Sequence, residues 1–330
     1  MSAAAPLRVL LVGCGNIAGG FDEARPPGSW PLTHAGAYAR HGGFQLAACV
    51  EPDAARRKVF MARWAVEQGF ADLGNITDAA AFDVVSICSP TAFHRAHLEQ
   101  VLRLGPRLVF CEKPVTLTAA ATLEWVNAFE RAGIALAVNH TRRWAPDIVR
   151  LKADLAGGRY GAVRSVVGHY NKGILNNGSH MLDLCSDLVG PLRPLWAGAA
   201  VADFWPDDPT IAAMLETQAG VPVSLVPAHA ADYALFELEI VTERGMLVME
   251  QAGLAWRWRE AAASRQFAGY RSLADDVRTE GEYEQAMAAA AANIHGCLDH
   301  GAPLASTGRS AWEAQRLCET IRQMSKGTTP

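Results

Sequence analysis

Leu7-Arg8-Val9-Leu10-Leu11-Val12-Gly13-Cys14-Gly15-Asn16-Ile17-Ala18 is an apolar run that breaks at glycine and then restarts. A six-residue apolar run is too short for a helix and reads as a strand buried on both faces. Gly13 permits the tight turn that follows, Gly15 keeps side-chain atoms off an approaching pyrophosphate, and Ala18 lets a helix pack closely on the strand, which is the G-x-G-x-x-A spacing of dinucleotide sites. The free N–H groups and the positive pole at such a helix start hold phosphates. Gly13, Gly15, Asn16 and Ile17 are therefore candidate cofactor residues.

The next apolar run, FQLAACV, ends in Glu51. An acid there accepts hydrogen bonds from the two adenosine ribose hydroxyls and repels a 2′-phosphate, which favours NAD over NADP. Arg56 and Arg57 just downstream argue the other way, since they would neutralise such a phosphate, and NADP stays open as the alternative. Glu51 lies farther from the glycines than the usual spacing of about 20 residues. Pro26, Pro27, Gly28 and Pro31 explain this: residues 20–33 read as an inserted loop, with helix resuming near His34.

Strand-like runs alternate with helical segments up to about Val138: LRVLLV, FQLAACV, DVVSICS, RLVFCEK and IALAVN. Such alternation predicts a doubly wound parallel α/β sheet over residues 1–140, with ligands at the carboxyl ends of its strands, where SPTAFH and CEKP fall. After a helix from Pro146 to Ala156, the runs VRSVVGHY, VPVSLV, YALFELEIVT, MLVMEQ and AWRWRE follow one another with hairpin signals such as Glu243-Arg244-Gly245. Residues 141–330 thus read as an α+β domain on a large, mainly antiparallel open sheet, with helices near 178–189, 281–299 and 308–325.

Length and composition narrow the function. A chain of 330 residues, 50% hydrophobic and 19% charged, accommodates two globular domains. A net charge of −4 without a basic tract speaks against nucleic acid. The opening apolar segment is too short to span a bilayer and has no leader pattern, so no membrane role and a cytoplasmic location are expected. The seven cysteines include no C-x-x-C pair and read as reduced, mostly buried thiols. His94 and His97 share a helical spacing, but further ligands are not evident, and no metal site is expected.

Two residues stand out chemically. Lys113 follows an apolar strand and precedes Pro114; a desolvated lysine beside a nicotinamide can take or give a proton at a substrate hydroxyl. Glu112 next to it reads equally as a charge partner for a structural lysine. In NNGSHMLD (176–183), the glycine and asparagines mark a turn, with Asn177 or Ser179 capping a helix whose first turn holds His180, a position that tends to keep an imidazole neutral.

The set GCGNIAG, SPTAFH, EKPV, NHTRRWAP and NNGSHMLD, with the closing GAPLASTGRSAWEAQRLCETI, resembles the Gfo/Idh/MocA oxidoreductases over nearly the whole chain. That resemblance implies a Rossmann domain followed by an α/β domain whose open sheet forms a homodimer or homotetramer interface. It matches Lys113 to the family's catalytic lysine and His180 to the histidine of its D-x-G-x-H motif. Ser89, Pro90 and His94 fall in the element beside the cofactor, with Glu112 alongside, and Arg142 and Arg143 match an arginine pair. Where the family commonly has aspartate this chain has Asn176, and an amide cannot serve as a base at neutral pH. Tyr170, Asn171 and Lys172 join Asn176 and Arg142 as expected substrate contacts. The activity implied is hydride transfer between NAD(P) and a secondary hydroxyl or ketone of a sugar, cyclitol or nucleotide sugar. Two other readings stand beside it: a cofactor-binding regulatory protein, which Asn176 favours, and a redox-neutral NAD-using enzyme.

Overall fold

The computed structural model describes residues 5–77 and 82–327. The chain divides into two compact units, residues 1–144 with 284–312 and residues 145–283 with 313–330.

In the first unit six parallel strands, β1 (Leu7–Val12), β2 (Phe44–Val50), β3 (Gln68–Phe70), β4 (Val84–Ile87), β5 (Leu108–Cys111) and β6 (Ala135–Val138), lie in the order β3-β2-β1-β4-β5-β6. The order reverses beside β1, so the carboxyl ends of β1 and β4 open a crevice at the switch point. Val9 and Leu11 pack into one apolar cluster and Leu10 and Val12 into another, which places core on both sheet faces. The helices are α1 (His34–His41), α2 (Ala54–Trp64), α3 (Thr91–Leu104) and α4 (Ala119–Arg131). The sequence pattern places each strand except β3, which it runs into the preceding helix. That helix stops at Ala65, a non-glycine residue in the left-handed region (φ 51°) that carries no sequence signal for a stop.

The inserted loop behaves as the prolines indicate. Helical turns run only to Asp22, and the chain returns at His34, whose N–H donates to Ile17 O while that of Ala35 donates to Ala18 O. An unbroken helix would make those bonds from residues 21 and 22. Asp22 closes the loop, accepting from the Leu32 and Thr33 amides and the Thr33 hydroxyl.

The second unit holds α5 (Pro146–Ala156), β7 (Val163–Tyr170), a π-helical segment (Gly173–Gly178) continuing into α6 (Ser179–Val189), and then β8 (Leu192–Trp205), β9 (Asp208–Thr217), β10 (Pro222–Pro227), β11 (Phe236–Thr242), β12 (Gly245–Glu250), β13 (Ala255–Ala263), β14 (Arg271–Leu273) and β15 (Val277–Glu280). The sheet order is β14-β13-β12-β11-β7-β10-β9-β8, with β15 also on β13, and β7–β10 is the parallel pair in an otherwise antiparallel ladder. β8 and β9 escape a sequence reading because β8 carries Pro194, Gly198 and three register shifts, which blur the two-residue period.

The division differs from a cut at residue 140. The alanine-rich helix α7 (Ala286–His300) sends Met287, Ala290, Ala291 and Ile294 into the same core cluster as Ala37 and Tyr38 of α1, because small side chains let two helices approach closely. α8 (Gly308–Lys326) starts in the first unit and ends in the second.

Candidate functional site

In the first unit the sequence candidates gather at the carboxyl edge of the parallel sheet. Gly13 turns at φ 91°, and a Cβ there would lie 2.9 Å from Ser89 N, so only glycine lets β1 and the β4 turn approach this closely. A Cβ on Gly15 would meet nothing within 4 Å, which leaves the space beside that residue for a ligand. Glu51 is buried at the end of β2, and its Oε2 accepts from Cys14 N at 3.1 Å. Its Oε1 accepts from Asp53 N at 3.1 Å and from Arg56 Nη1 at 3.4 Å, while Arg57 bonds the Glu51 carbonyl. A carboxylate that can accept from ribose hydroxyls, fixed beside an open glycine turn whose main chain can approach a pyrophosphate, is the arrangement a dinucleotide requires, so these residues fit the cofactor.

Ser89 and Pro90 form the turn into α3, with Pro90 at its N-cap. His94 corrects one expectation. It is fully buried, with Nε2 2.8 Å from Ser89 O and Nδ1 3.0 Å from Pro114 O, either of which can accept the ring's N–H. Both ring nitrogens face main-chain carbonyls of the protein's own loops, which leaves neither turned outward.

Glu112 and Lys113 follow β5, with a cis bond between Lys113 and Pro114. Glu112 Oε1 accepts from Asn139 Nδ2 at 2.6 Å and faces His34 Nε2 at 3.0 Å, and Thr141 donates to Asn139 Oδ1 at 2.9 Å. Burial works to raise the Glu112 carboxyl, but His34, Asn139 and the Lys113 charge together outweigh it and hold the group below its ordinary range. Lys113 thus sits next to a carboxylate kept ionised, one oxygen of which, Oε1, is engaged by His34 and Asn139. Arg142 lies buried on the turn Thr141–Trp144 after β6. His34 and Asn139 were missed in the sequence. His34's one signal was its place at the point where the helix resumes.

In the second unit the motif residues sit on the helical run from Gly173 through α6, and the capping expectation is overturned. Gly178 and Ser179 both have helical dihedrals, neither Asn177 nor Ser179 caps, and Ser179 Oγ donates to Asn176 O at 2.8 Å. The run starts at Gly173, and its first amides are capped from outside: Asp208 Oδ1 accepts from Leu175 N at 2.9 Å and Oδ2 from Asn176 N at 2.8 Å, and Thr210 Oγ1 accepts from Gly173 N at 2.9 Å. His180 therefore does not sit at a helix start, and the dipole argument for its neutrality lapses. Asn176 and His180, four residues apart on one helical run, share a side. Gly178 is required by packing, since a Cβ would lie 2.8 Å from Ile174 Cδ1 and 3.1 Å from the Tyr170 ring. A π-helical segment next to a motif is a frequent mark of a functional site.

Tyr170 is a second correction. It is wholly buried, its hydroxyl donating to Ile211 O at 2.7 Å and accepting from Ile211 N at 2.9 Å, which leaves nothing for substrate. Asn171 is likewise buried, bonded to Tyr233 O and Leu235 N. Lys172 stands in the left-handed region (φ 62°) with its ammonium 5.3 Å from the centre of the Phe204 ring. Its amide donates to Asp203 at 2.6 Å. Burial would raise the Asp203 carboxyl, but bonds from Ala230, Thr210 and the Lys172 amide hold it down. Among the described residues no group of three or more His, Cys, Asp or Glu is placed to hold a metal ion. No helix among them is long and apolar enough to cross a membrane.

Residues 7–140 match the Gfo/Idh/MocA family model, described as an oxidoreductase family with an NAD-binding Rossmann fold. The chain is 27% identical over 158 residues to the D-glucoside 3-dehydrogenase of Escherichia coli strain K12, covering 48% of this chain and 41% of that protein. It is 24% identical over 239 residues to the inositol 2-dehydrogenase of Corynebacterium glutamicum strain R, covering 67% of this chain and 70% of that one. The matched segments thus span well under half of the first curated relatives, 41% of the D-glucoside enzyme and 36% of the D-apiose dehydrogenase of Paraburkholderia graminis. Among solved structures, the WlbA dehydrogenase of Bordetella pertussis, in complex with NADH and UDP-GlcNAcA, has a TM-score of 0.75 at 20% identity, covering 97% of each chain, a likeness of fold.

Proposed function

We propose that this chain, whose residues 7–140 match the Gfo/Idh/MocA family model, is an oxidoreductase of that kind and transfers a hydride between a nicotinamide dinucleotide and a secondary hydroxyl or ketone of a sugar, cyclitol or nucleotide sugar. The observation that carries this reading is Lys113, set on the same sheet edge as the Gly13–Gly15 turn and beside the ionised Glu112. Gly13, Gly15, Asn16 and Ile17 hold the pyrophosphate. Glu51, pinned by the Cys14 amide, accepts from the ribose hydroxyls and favours NAD over NADP. The bound nicotinamide supplies the hydride acceptor or donor.

Lys113 takes the proton from the substrate hydroxyl, or returns it, and Glu112 holds the ammonium in place between turnovers. His180 shares the proton work, and Asn176 orients by hydrogen bonding without carrying a proton. Arg142 and Lys172 contribute positive charge for a polar or anionic substituent. Names of relatives such as the D-glucoside and inositol dehydrogenases support the polyol class of substrate. Exposed Trp196, Val201, Phe204, Trp205 and Met214 on β8 and β9 support self-association through the second sheet, which light scattering of the purified protein would register as a dimer or tetramer.

The test is NADH formation with a panel of sugars, inositols and nucleotide sugars, with Lys113→Met as control. Loss of the acid-base group lowers turnover by at least about 100-fold while NAD affinity stays unchanged. A fully active Lys113→Met protein refutes the role of that residue. Asn176 favours a second reading, a cofactor-binding protein without turnover; NAD binding with silence across the panel would select it.

A further inference from the structure

We propose that the inserted loop builds a separate oxyanion-binding pocket, which takes a phosphate group. A concavity of about 200 Å³ is lined by Asp22, Arg25, Trp30, Arg40, Arg63 and Trp64, together with neighbouring loop backbone. Neither Gly13, Gly15 nor Glu51 lines it, so the inference is independent of the dinucleotide reading.

The balance of donors and acceptors points to an anion. The Arg40 guanidinium lies 4.0 Å from the centre of the Trp30 ring, and that of Arg63 lies 5.6 Å from Trp64. Among the described residues neither has a carboxylate within ion-pair distance, although surface arginines in this chain commonly do, as Arg103, Arg159 and Arg193 show. Arg25 is held by Glu284 at 3.2 Å, and its buried Nε, 4.0 Å from Asp22 Oδ1, is within ion-pair reach of that acid but has no hydrogen-bond acceptor. Trp64 Nε1 is buried in the same condition. Buried N–H groups without partners are rare in folded proteins, and both belong to side chains that line this concavity.

The pocket's own carboxylate accepts a hydrogen bond from neither. Asp22 is taken up by the Leu32 amide, the Thr33 amide and the Thr33 hydroxyl, and a Cβ on Gly36 would lie 2.3 Å from its Oδ2, so the acid is packed in place as the clasp of the loop. Prolines 26, 27 and 31 stiffen the rim, which reduces the ordering cost of binding. A tetrahedral phosphate presents several acceptor oxygens to planar guanidinium forks, whereas a neutral ligand would leave two cations unmatched. The volume suits a phosphate or a phosphoryl group with a small substituent.

The test is isothermal titration calorimetry of the full-length protein with inorganic phosphate and, separately, with glucose 6-phosphate, in chloride buffer of matched ionic strength. Saturable binding of at least one is expected. Arg40 and Arg63 are exposed, so the double variant Arg40→Gln/Arg63→Gln folds, and it should weaken binding at least about tenfold. Its NAD affinity should stay within about twofold of the parent, the arithmetic of a site with no shared contact. Tighter binding of the phosphomonoester assigns the site to an organic phosphate, and equal or tighter binding of phosphate assigns it to the free anion. No saturable heat with either, or undiminished binding in the double variant, overturns the proposal.

Discussion

Truncating Asp208 tests whether the motif segment owes its geometry to a residue far from it in sequence. Asp208 takes the Leu175 and Asn176 amides at 2.9 and 2.8 Å. Each such bond to a carboxylate contributes about 1.5–3 kcal/mol, and water entering a partly exposed turn recovers some of it, so Asp208→Ala should cost about 2–4 kcal/mol. Asp208→Asn keeps one acceptor oxygen and should cost about half as much. At about 2–4 °C per kcal/mol for a chain of this class, the alanine variant should melt about 5–15 °C lower. Gly173 supplies the cross-check. It sits at φ 88°, and a Cβ there would lie 2.1 Å from Asp208 Oδ2 and 2.6 Å from Asp208 O.

Gly173→Ala therefore displaces the carboxylate in the parent but meets only the main-chain oxygen and the backbone strain once Asp208 is alanine. The double variant should be less destabilised than the sum of the singles by about 1 kcal/mol. Urea unfolding of the four proteins measures this directly. Turnover should fall with the cap, because Asn176 and His180 follow it along the helix, while NAD affinity should not, because Gly13, Gly15 and Glu51 lie in the other unit. An unchanged melting temperature in Asp208→Ala, or additivity within about 0.5 kcal/mol, refutes the reasoning.

Glu112 has a folded pKa held below its ordinary value, so its contribution to stability is present above the unfolded carboxylate pKa of about 4.3 and disappears as the pH falls through the folded value. Glu112→Gln should thus be less stable than the parent at pH 7, with the gap closing in acid; a gap that widens on acidification would contradict the assignment. Gly15→Val should raise the NAD dissociation constant at least about tenfold without lowering the melting temperature, since its side chain would enter space the protein leaves open. Calorimetry and thermal melts separate the two effects. Removing residues 21–33, so that Gly20 runs into His34, should preserve NAD binding and abolish phosphate binding, because the Ile17 and Ala18 carbonyls keep their donors. Loss of NAD binding in that variant would show that the loop belongs to the dinucleotide site.

The sequence was most legible where a single local rule acts. The strands of the first sheet announce themselves as apolar runs because both faces are covered, and Gly13 and Gly15 as glycines because backbone must come close to β4 or to a ligand. Pro146 at the first turn of α5 places that helix to the residue. Legibility fell where partners are distant. Tyr170 looks like a polar tip ahead of a motif, yet its hydroxyl is consumed by Ile211, 41 residues away. The cap of the motif helix comes from Asp208 on β9, a strand the sequence pattern does not reveal, and local asparagine and serine stood in as the wrong candidates.

The insertion shows how spatial order outlasts sequence order. Because His34 and Ala35 take the hydrogen bonds of residues 21 and 22, the helix resumes in phase, and His34 occupies the place eight residues after Gly13 while standing twenty-one residues after it. That phase carries its imidazole to Glu112 at 3.0 Å and so to the neighbour of Lys113. A loop of arbitrary ends would have rotated His34 off that face by about 100° for each residue of mismatch. The closure by Asp22, the clearance at Gly36 and the return bonds at Ile17 and Ala18 are therefore one device. They let the chain add a pocket without disturbing the lysine's surroundings, and the Asp22 clasp is the joint on which both depend.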